Sequence, residues 1–367
     1  MEAYYAVVVL TLWALIAQAG GNRRMERMVL AAAAGTIALI AGLRWYSDID
    51  FEPYAQMYSD NPALSELSRE SVSRLYGEAG FLALTAVFKT LGSEFVLLAF
   101  ACALTSLLLK SVSLFRLSKH ASLALCLYLC LHFVTIEFIQ MRWAVASAWL
   151  ALGFSFQYLR KFKAAFLCFA LALAFHYFSA VFWIVALLVT MKGHRRFYVM
   201  LAVSLLAALL LKLEHVAGFL VSDSSVYVLE RINRYATNPN APLGVLSFAK
   251  LLMYPAIYAA CVWFRPAYAW KEDGLNMFLF KLSSVLISLT LAVTFIPILH
   301  QRASVLADFF ALIWILNALH CALSAGARSF AFAGLGALYC AWYVVDVSNY
   351  VNAGRLFPYQ TWLTRLP

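Results

Sequence analysis

Apolar runs of fifteen to twenty-odd residues recur from one end of the chain to the other, separated by short polar breaks. A helix needs about 20 apolar residues to cross a bilayer. Inside lipid it must also satisfy its own backbone hydrogen bonds. The pattern therefore predicts an all-α, polytopic membrane protein. Spans are expected at about 3–20, 28–43, 94–115, 120–138, 142–159, 164–177, 178–191, 197–213, 245–264, 275–296, 303–321 and 329–346, about twelve in all. The run 78–92 is apolar but too short to cross, so it is expected to be re-entrant or to lie at the interface. No segment is long or polar enough for a soluble domain. The expectation is a single transmembrane domain over 1–367, with external loops 44–77 and 214–243 contributing to a site.

The polar breaks set the orientation, because short cytoplasmic loops are enriched in Lys and Arg. Arg23, Arg24 and Arg27 against Glu26 mark the first break as cytoplasmic. The next, 44–77, holds three arginines against six carboxylates and reads as external. If 78–92 does not cross, the basic loop Lys110–Lys119 falls inside, as do Arg160, Lys161, Arg195, Arg196 and Arg328. Both termini then lie outside. Ala17-Gln18-Ala19 mimics a signal-peptidase site, but the start is acidic and the positive charges follow the apolar run. A signal peptide has the opposite polarity, so an uncleaved first span is expected.

Composition agrees: the chain is 64% hydrophobic and 13% charged, against about 45–50% and 25% for a soluble domain. The net charge of +10 sits in loops between spans and reports topology rather than a nucleic-acid partner. Seven cysteines all lie in apolar runs with no C-x-x-C. They read as packing residues, not as disulfides or a metal site.

This orientation leaves Arg44, Asp48, Asp50, Glu78, Arg142, His176, Arg231, Arg234 and Arg302 at the outer face. Arginine is expected to be scarce there, and polar groups gathered at one membrane face line a site or a pathway. Each residue has a plain reading beside the functional one. Asp48-Ile49-Asp50 is a D-x-D, a metal and sugar-nucleotide motif in cytosolic enzymes, yet nucleotide sugars are absent outside. The plain alternative is a salt bridge to Arg44, and the functional one a general base. Glu78 is either a helix N-terminal acid favoured by the dipole or a partly desolvated base. Arg142 opens a span and reads as an anion-binding cation at a helix N-terminus or as a snorkelling side chain. His176, at the tip of the hairpin between 164–177 and 178–191, is a proton relay, a phosphate ligand or a structural group. Arg231, Arg234 and Tyr235 suit a glycan diphosphate through bidentate guanidinium contacts and ring stacking, or form an interfacial helix. Arg302 starts a span as Arg142 does. At span centres, Asp308 and Lys250 are the main charges, which weakens the case for an ion-coupled transporter. The tail Phe357–Trp362 is aromatic and is expected to anchor in the headgroup belt.

The ordered series Gly42-Leu43-Arg44, Asp50-x-x-x-Tyr54 with Tyr58, Glu78-x-Gly80, Arg142-x-x-x-Ala146, Phe175-His176-x-x-Ser179-Ala180, Arg231 to Tyr235, and Arg302 resembles the EpsG/Wzy-like family of bacterial O-antigen and exopolysaccharide polymerases. Ser47-Asp48-Ile49 stands where that family usually has a glycine before the aspartate, which leaves the choice between Asp48 and Asp50 open. The resemblance implies a GT-C-like membrane glycosyltransferase with no metal or other cofactor, in the bacterial inner membrane with its site facing the periplasm or cell exterior. It implies a growing glycan on undecaprenyl diphosphate as donor and a lipid-linked repeat unit as acceptor. Membrane lipid and a chain-length regulator are further partners, and nucleic acid is not. On that footing Glu78, then His176 and Asp50, are the candidate catalytic bases. Arg44, Tyr54, Arg142, Arg231, Arg234, Tyr235 and Arg302 are the candidate ligands of diphosphate and glycan. An O-antigen ligase or a polyprenyl-phosphate-sugar glycosyltransferase is the nearest alternative. A lipid-linked glycan flippase is the alternative outside enzymes, and it predicts polar groups through the depth of the membrane.

Overall fold

A computed structural model describes residues 2–66, 77–193, 195–211, 274–294 and 296–365. The expected span 245–264, the loop 214–243 and the candidates Arg231, Arg234 and Tyr235 lie outside the described residues. Within them the chain is helical: α1 (Ala6–Ala19, entered by a 3-10 turn), α2 (Arg23–Gly42), α3 (Phe51–Asp60), α4 (Ala79–Thr90), α5 (Phe95–Leu117), α6 (Ala121–His132), α7 (Met141–Tyr158), α8 (Phe162–Phe175), α9 (Val181–Val189), α10 (Arg195–Leu211), α11 (Gly274–Ala292), α12 (Pro297–Ala322) and α13 (Ala325–Asn352). Among the described residues a helix stands at each sequence-predicted span, with ends differing by up to about six residues. Among the described residues, seven helical stretches, against the twelve expected over the whole chain, are long and apolar enough to cross a membrane: Glu2–Ala19, α2, α5, Ala121–Ile139, α11, Ile298–Ala322 and α13.

Contacts divide the chain into two compact units, Met1–Trp183 with Leu323–Pro367, and Ile184–Ala322. In the first, α6 is the hub and is buried along its whole length. It packs against α1, α2, α5 and α13. Its last turn widens into a π-helix over Phe133–Ile139, and the chain then reverses at Gln140 into α7. α7 packs between α5 and α8. In the second unit, α11 packs between α10 and α12.

Small residues set the close approaches, as expected between helices in lipid. At Gly42, the last residue of α2, a Cβ would lie 2.4 Å from the Phe100 Cα. At Gly80 it would lie 2.8 Å from the Ala174 carbonyl oxygen, so α4 seats backbone-to-backbone on the end of α8. Gly80→Ala is therefore expected to cost about 1–3 kcal/mol through overpacking. It would also push Glu78, two residues upstream, off its partner. Thermal unfolding in detergent, read beside activity, checks both effects.

α4 spans 12 residues, about 18 Å at 1.5 Å per residue, well short of the roughly 30 Å hydrocarbon core. It is one of three shorter apolar helices among the described residues, with α8 and the stretch Tyr177–Val189. α3 lies within the expected external loop 44–77 and buries Phe51 and Tyr54. Its C-terminal end is tied to α4, where the Lys89 Nζ donates to the carbonyls of Ser59 (2.5 Å) and Asn61 (2.6 Å). Tyr58 in turn donates to the Ser93 carbonyl just before α5. These ties hold the end of α3 beside the last turn of α4 and the start of α5.

Candidate functional site

Four separate stretches of the first unit meet around Arg142. The guanidinium stands in the first turn of α7, where Met141 and Val145 share an apolar cluster with Phe51, Tyr54, Phe81 and Phe95. Its Nη1 donates to the Glu78 Oε2 at 2.5 Å. The Arg142 side chain is 20% exposed and the Glu78 side chain 9%. The Arg142 Cζ lies 5.6 Å from the Tyr54 ring centroid and 5.9 Å from that of Phe81, a cation–π cradle on two sides. Its Nε is buried with no hydrogen-bond partner among the described residues. The cation is thus held by one carboxylate and two rings, with donor capacity left over.

The loop 43–50 forms the neighbouring wall. Arg44 is fully buried; its Nε donates to the Asp48 Oδ2 at 2.6 Å and its Nη1 donates to the Ala41 carbonyl. The Arg44 Cζ also sits 5.1 Å from the Phe138 ring centroid, on the π-helical turn. Asp48 Oδ1 accepts from the Asp50 backbone N–H at 2.9 Å. Between them Tyr46 takes a left-handed backbone, φ 44°, a conformation a bulky residue holds only where its surroundings enforce it. The D-x-D is therefore split: Asp48 closes the turn with Arg44, while the partly buried Asp50 carboxylate accepts no hydrogen bond among the described residues. Burial, then Asp48, raises the Asp50 pKa above the ordinary aspartate range, with Arg44 and Arg142 pulling against the rise.

That direction fixes a prediction. A carboxyl whose pKa rises on folding favours the protonated form, so its contribution to stability is complete at low pH and is lost as pH rises through the folded-state pKa. Asp50→Asn is therefore expected to unfold at a higher temperature than the parent at neutral pH, with the difference vanishing in acid. Melting curves across pH check it.

The tail expected to anchor in headgroups also braces this loop. Trp45 N–H donates to the Gln360 carbonyl, Trp362 N–H to the Leu43 carbonyl and Phe357 N–H to the Ser47 carbonyl, at 2.9, 2.9 and 3.0 Å. Trp362 Nε1 also donates to the Glu94 Oε2 at 2.8 Å. The Tyr359 hydroxyl donates to the Ile40 carbonyl at 3.2 Å.

His176 ends α8 and accepts from the Phe178 N–H through its Nδ1 at 3.2 Å. Its ring packs edge-on against Trp143, centroids 5.1 Å apart. His176 is thus in contact with the residue next to Arg142, while part of its bonding capacity caps the turn. Arg302 lies near the start of α12 in the second unit. Of the sequence-predicted residues, Arg44, Asp50, Tyr54, Glu78, Arg142 and His176 all belong to the first unit.

A family model described as the EpsG family matches residues 28–361. The chain belongs to the EpsG family. The match spans every described candidate residue and extends from within α2 to the bracing tail. EpsG-family membership marks the chain as a multi-pass membrane protein of the polysaccharide-polymerase type, glycosyltransferase-like in character. No curated protein and no solved structure matches this EpsG-family chain.

One constellation escaped the sequence reading. Lys110 was expected in a basic cytoplasmic loop, but it is fully buried within α5, its Nζ 2.6 Å from the Glu137 Oε1 on the π-helical turn. The correction leaves the loop basic, since Arg116 and Lys119 remain beyond it. The available signals were Ser106 one turn before Lys110 and a single acid in the apolar run 121–139.

Proposed function

We propose that this protein extends a polysaccharide at the outer face of a bacterial cytoplasmic membrane. It transfers a growing glycan from a polyprenyl diphosphate onto a lipid-linked repeat unit. The supporting observation is the held but incompletely satisfied cation of Arg142, within electrostatic reach of the Asp50 carboxylate, which accepts no hydrogen bond among the described residues. In the proposed step the acceptor hydroxyl attacks the anomeric carbon of the donor sugar. The new C–O bond forms as the anomeric carbon–oxygen bond to the diphosphate breaks, and both electrons of that bond leave with the lipid diphosphate. The hydroxyl proton passes to a carboxylate.

The leaving diphosphate gains charge in the transition state, and preorganised donors placed there lower the barrier. Arg142 fills that role, its fork aimed by Glu78 and its face covered by Tyr54 and Phe81. Arg44, being buried and neutralised by Asp48, serves from behind by fixing the turn that presents Asp50. Among the three candidate bases the geometry favours Asp50: Glu78 is occupied by Arg142, and His176 is engaged in capping. Burial raises the Tyr54 phenol pKa, keeping it a neutral neighbour for the diphosphate. Arg231, Arg234, Tyr235 and Arg302 remain further candidates for the glycan and the second lipid diphosphate.

The test is reconstitution of the purified protein in vesicles. The substrate is the lipid-linked repeat unit extracted from cells that lack this protein. A ladder of lipid-linked products supports the proposal. A single addition to a different acceptor points to the ligase reading. Movement of the lipid across the bilayer with no new glycosidic bond points to the flippase reading and overturns the proposal.

A further inference from the structure

The buried network under the α6–α7 reversal is closed. Lys110 Nζ donates to Glu137 Oε1 (2.6 Å), Ser106 Oγ (2.8 Å) and the Ala144 carbonyl (3.1 Å), which uses all three of its protons. Glu137 Oε1 also accepts from the Tyr128 hydroxyl at 2.9 Å, and its Oε2 lies 2.8 Å from the Ser106 Oγ. Lys110, Ser106 and Glu137 are essentially inaccessible to solvent. A charged pair in a membrane span is costly and marks function by default. A proton relay or an ion pathway needs a vacant site or water, and this lysine has no unmatched donor. The network's reach is the informative feature. One ammonium ties the π-helical turn before Gln140 to the first turns of α7 after it, on either side of the residue carrying the site's cation. π-helical turns are enriched at functional sites because they re-aim side chains. Here the widened turn directs Glu137 toward α5 and sets Phe138 beneath Arg44. Ser106 lies about 16 Å along α5 from Phe95 at 1.5 Å per residue, so the reversal is held well inside the span.

We propose that Lys110, Glu137 and Ser106 are positioning residues that clamp the two arms of the Ile139–Arg142 reversal and so fix where Arg142 meets a lipid diphosphate. The proposal rests on the reading of Arg142 given above, and the two can fail separately.

Undecaprenyl diphosphate alone, without any glycan, serves as the probe, its binding to the purified protein being measured directly. Arg142→Ala is expected to weaken binding at least tenfold. The charge-balanced double variant Lys110→Met with Glu137→Gln removes the clamp without stranding a charge. It is expected to weaken binding about tenfold in monodisperse, folded protein, and Ser106→Ala about threefold. Parent-like affinity in both clamp variants, with Arg142→Ala impaired, overturns the clamp and leaves the site standing. Should the double variant fail to fold, Ser106→Ala decides alone, and parent-like affinity in it overturns the clamp. Should Arg142→Ala bind as the parent does, the diphosphate reading fails. The clamp is then judged by geometry: a Gln140→Cys thiol is labelled by a membrane-impermeant maleimide with and without Ser106→Ala. A threefold or larger change in rate upholds the clamp, and equal rates overturn it.

Discussion

Arg142→Ala is expected to lower polymer formation by about 10²–10³-fold, the range seen when one preorganised donor to a developing oxyanion is removed. The magnitude follows from how the residue is held. Glu78, Tyr54 and Phe81 fix the guanidinium before substrate arrives, so little reorganisation is needed when charge builds on the leaving diphosphate. A second effect must be separated from the first. Removing the arginine strands Glu78, and an uncompensated buried carboxylate destabilises a protein by up to about 3–5 kcal/mol. The pair is partly exposed, so solvent screening reduces that figure here. The double variant Arg142→Ala with Glu78→Gln removes the stranded charge. It is expected to recover folded yield and melting temperature toward the parent while staying as inactive as the single variant. Arg142→Lys keeps the charge but loses the planar fork, so it should fold well and recover only part of the activity. Product ladders per mole of folded protein, with melting curves alongside, check all three. Parent-like ladders from Arg142→Ala would remove this residue from the chemistry.

The helices, and the charges of Arg142, Glu78 and Asp50 as features to follow, were legible in the sequence because both rest on local signals. An apolar run reports a span whatever it packs against. Arg142 and Glu78 stand out because their charges fall where topology does not call for them. Their pairing was not legible: the partners lie 64 residues apart, and no periodicity chooses among several acids for one arginine. The division of labour between Asp48 and Asp50 depends on a left-handed Tyr46 that only coordinates reveal. Lys110 was misplaced for a related reason. A lysine one or two turns inside an apolar run looks the same whether it snorkels to the interface or is matched internally. The choice turned on Glu137, which comes into reach through a π-helical turn rather than a regular α-helical one.

Deletion of 355–365 is expected to abolish polymerisation while leaving the helices inserted. α13 ends at Asn352, so no described span is shortened, and the protein should still reach the membrane in comparable amount. The loop 43–48 would lose its bridges, since Arg44 faces Thr361 and Asp48 faces Leu356 across isolated antiparallel pairs. The backbone groups of Leu43, Trp45 and Ser47 would be left without the tail's partners, and unmatched buried polar groups cost about 1–3 kcal/mol each. The left-handed backbone at Tyr46 would then relax, because its neighbours no longer enforce it. Asp50 hangs from that turn through Asp48, and Arg44 is the charge that holds Asp48. Losing the brace therefore disperses the carboxylate relative to Arg142, and a displacement of about 1 Å can cost about 10²-fold in rate. A tail that merely rests in the headgroup layer predicts a different result, near-parent ladders at near-parent yield. The point variant Phe357→Pro removes one bracing N–H donor while keeping the tail's length, and a partial fall in ladder formation is expected from it. Deleting the segment and breaking one of its hydrogen bonds should thus rank in that order, and a reversed order would mean the tail acts through its aromatic surface and not through the loop.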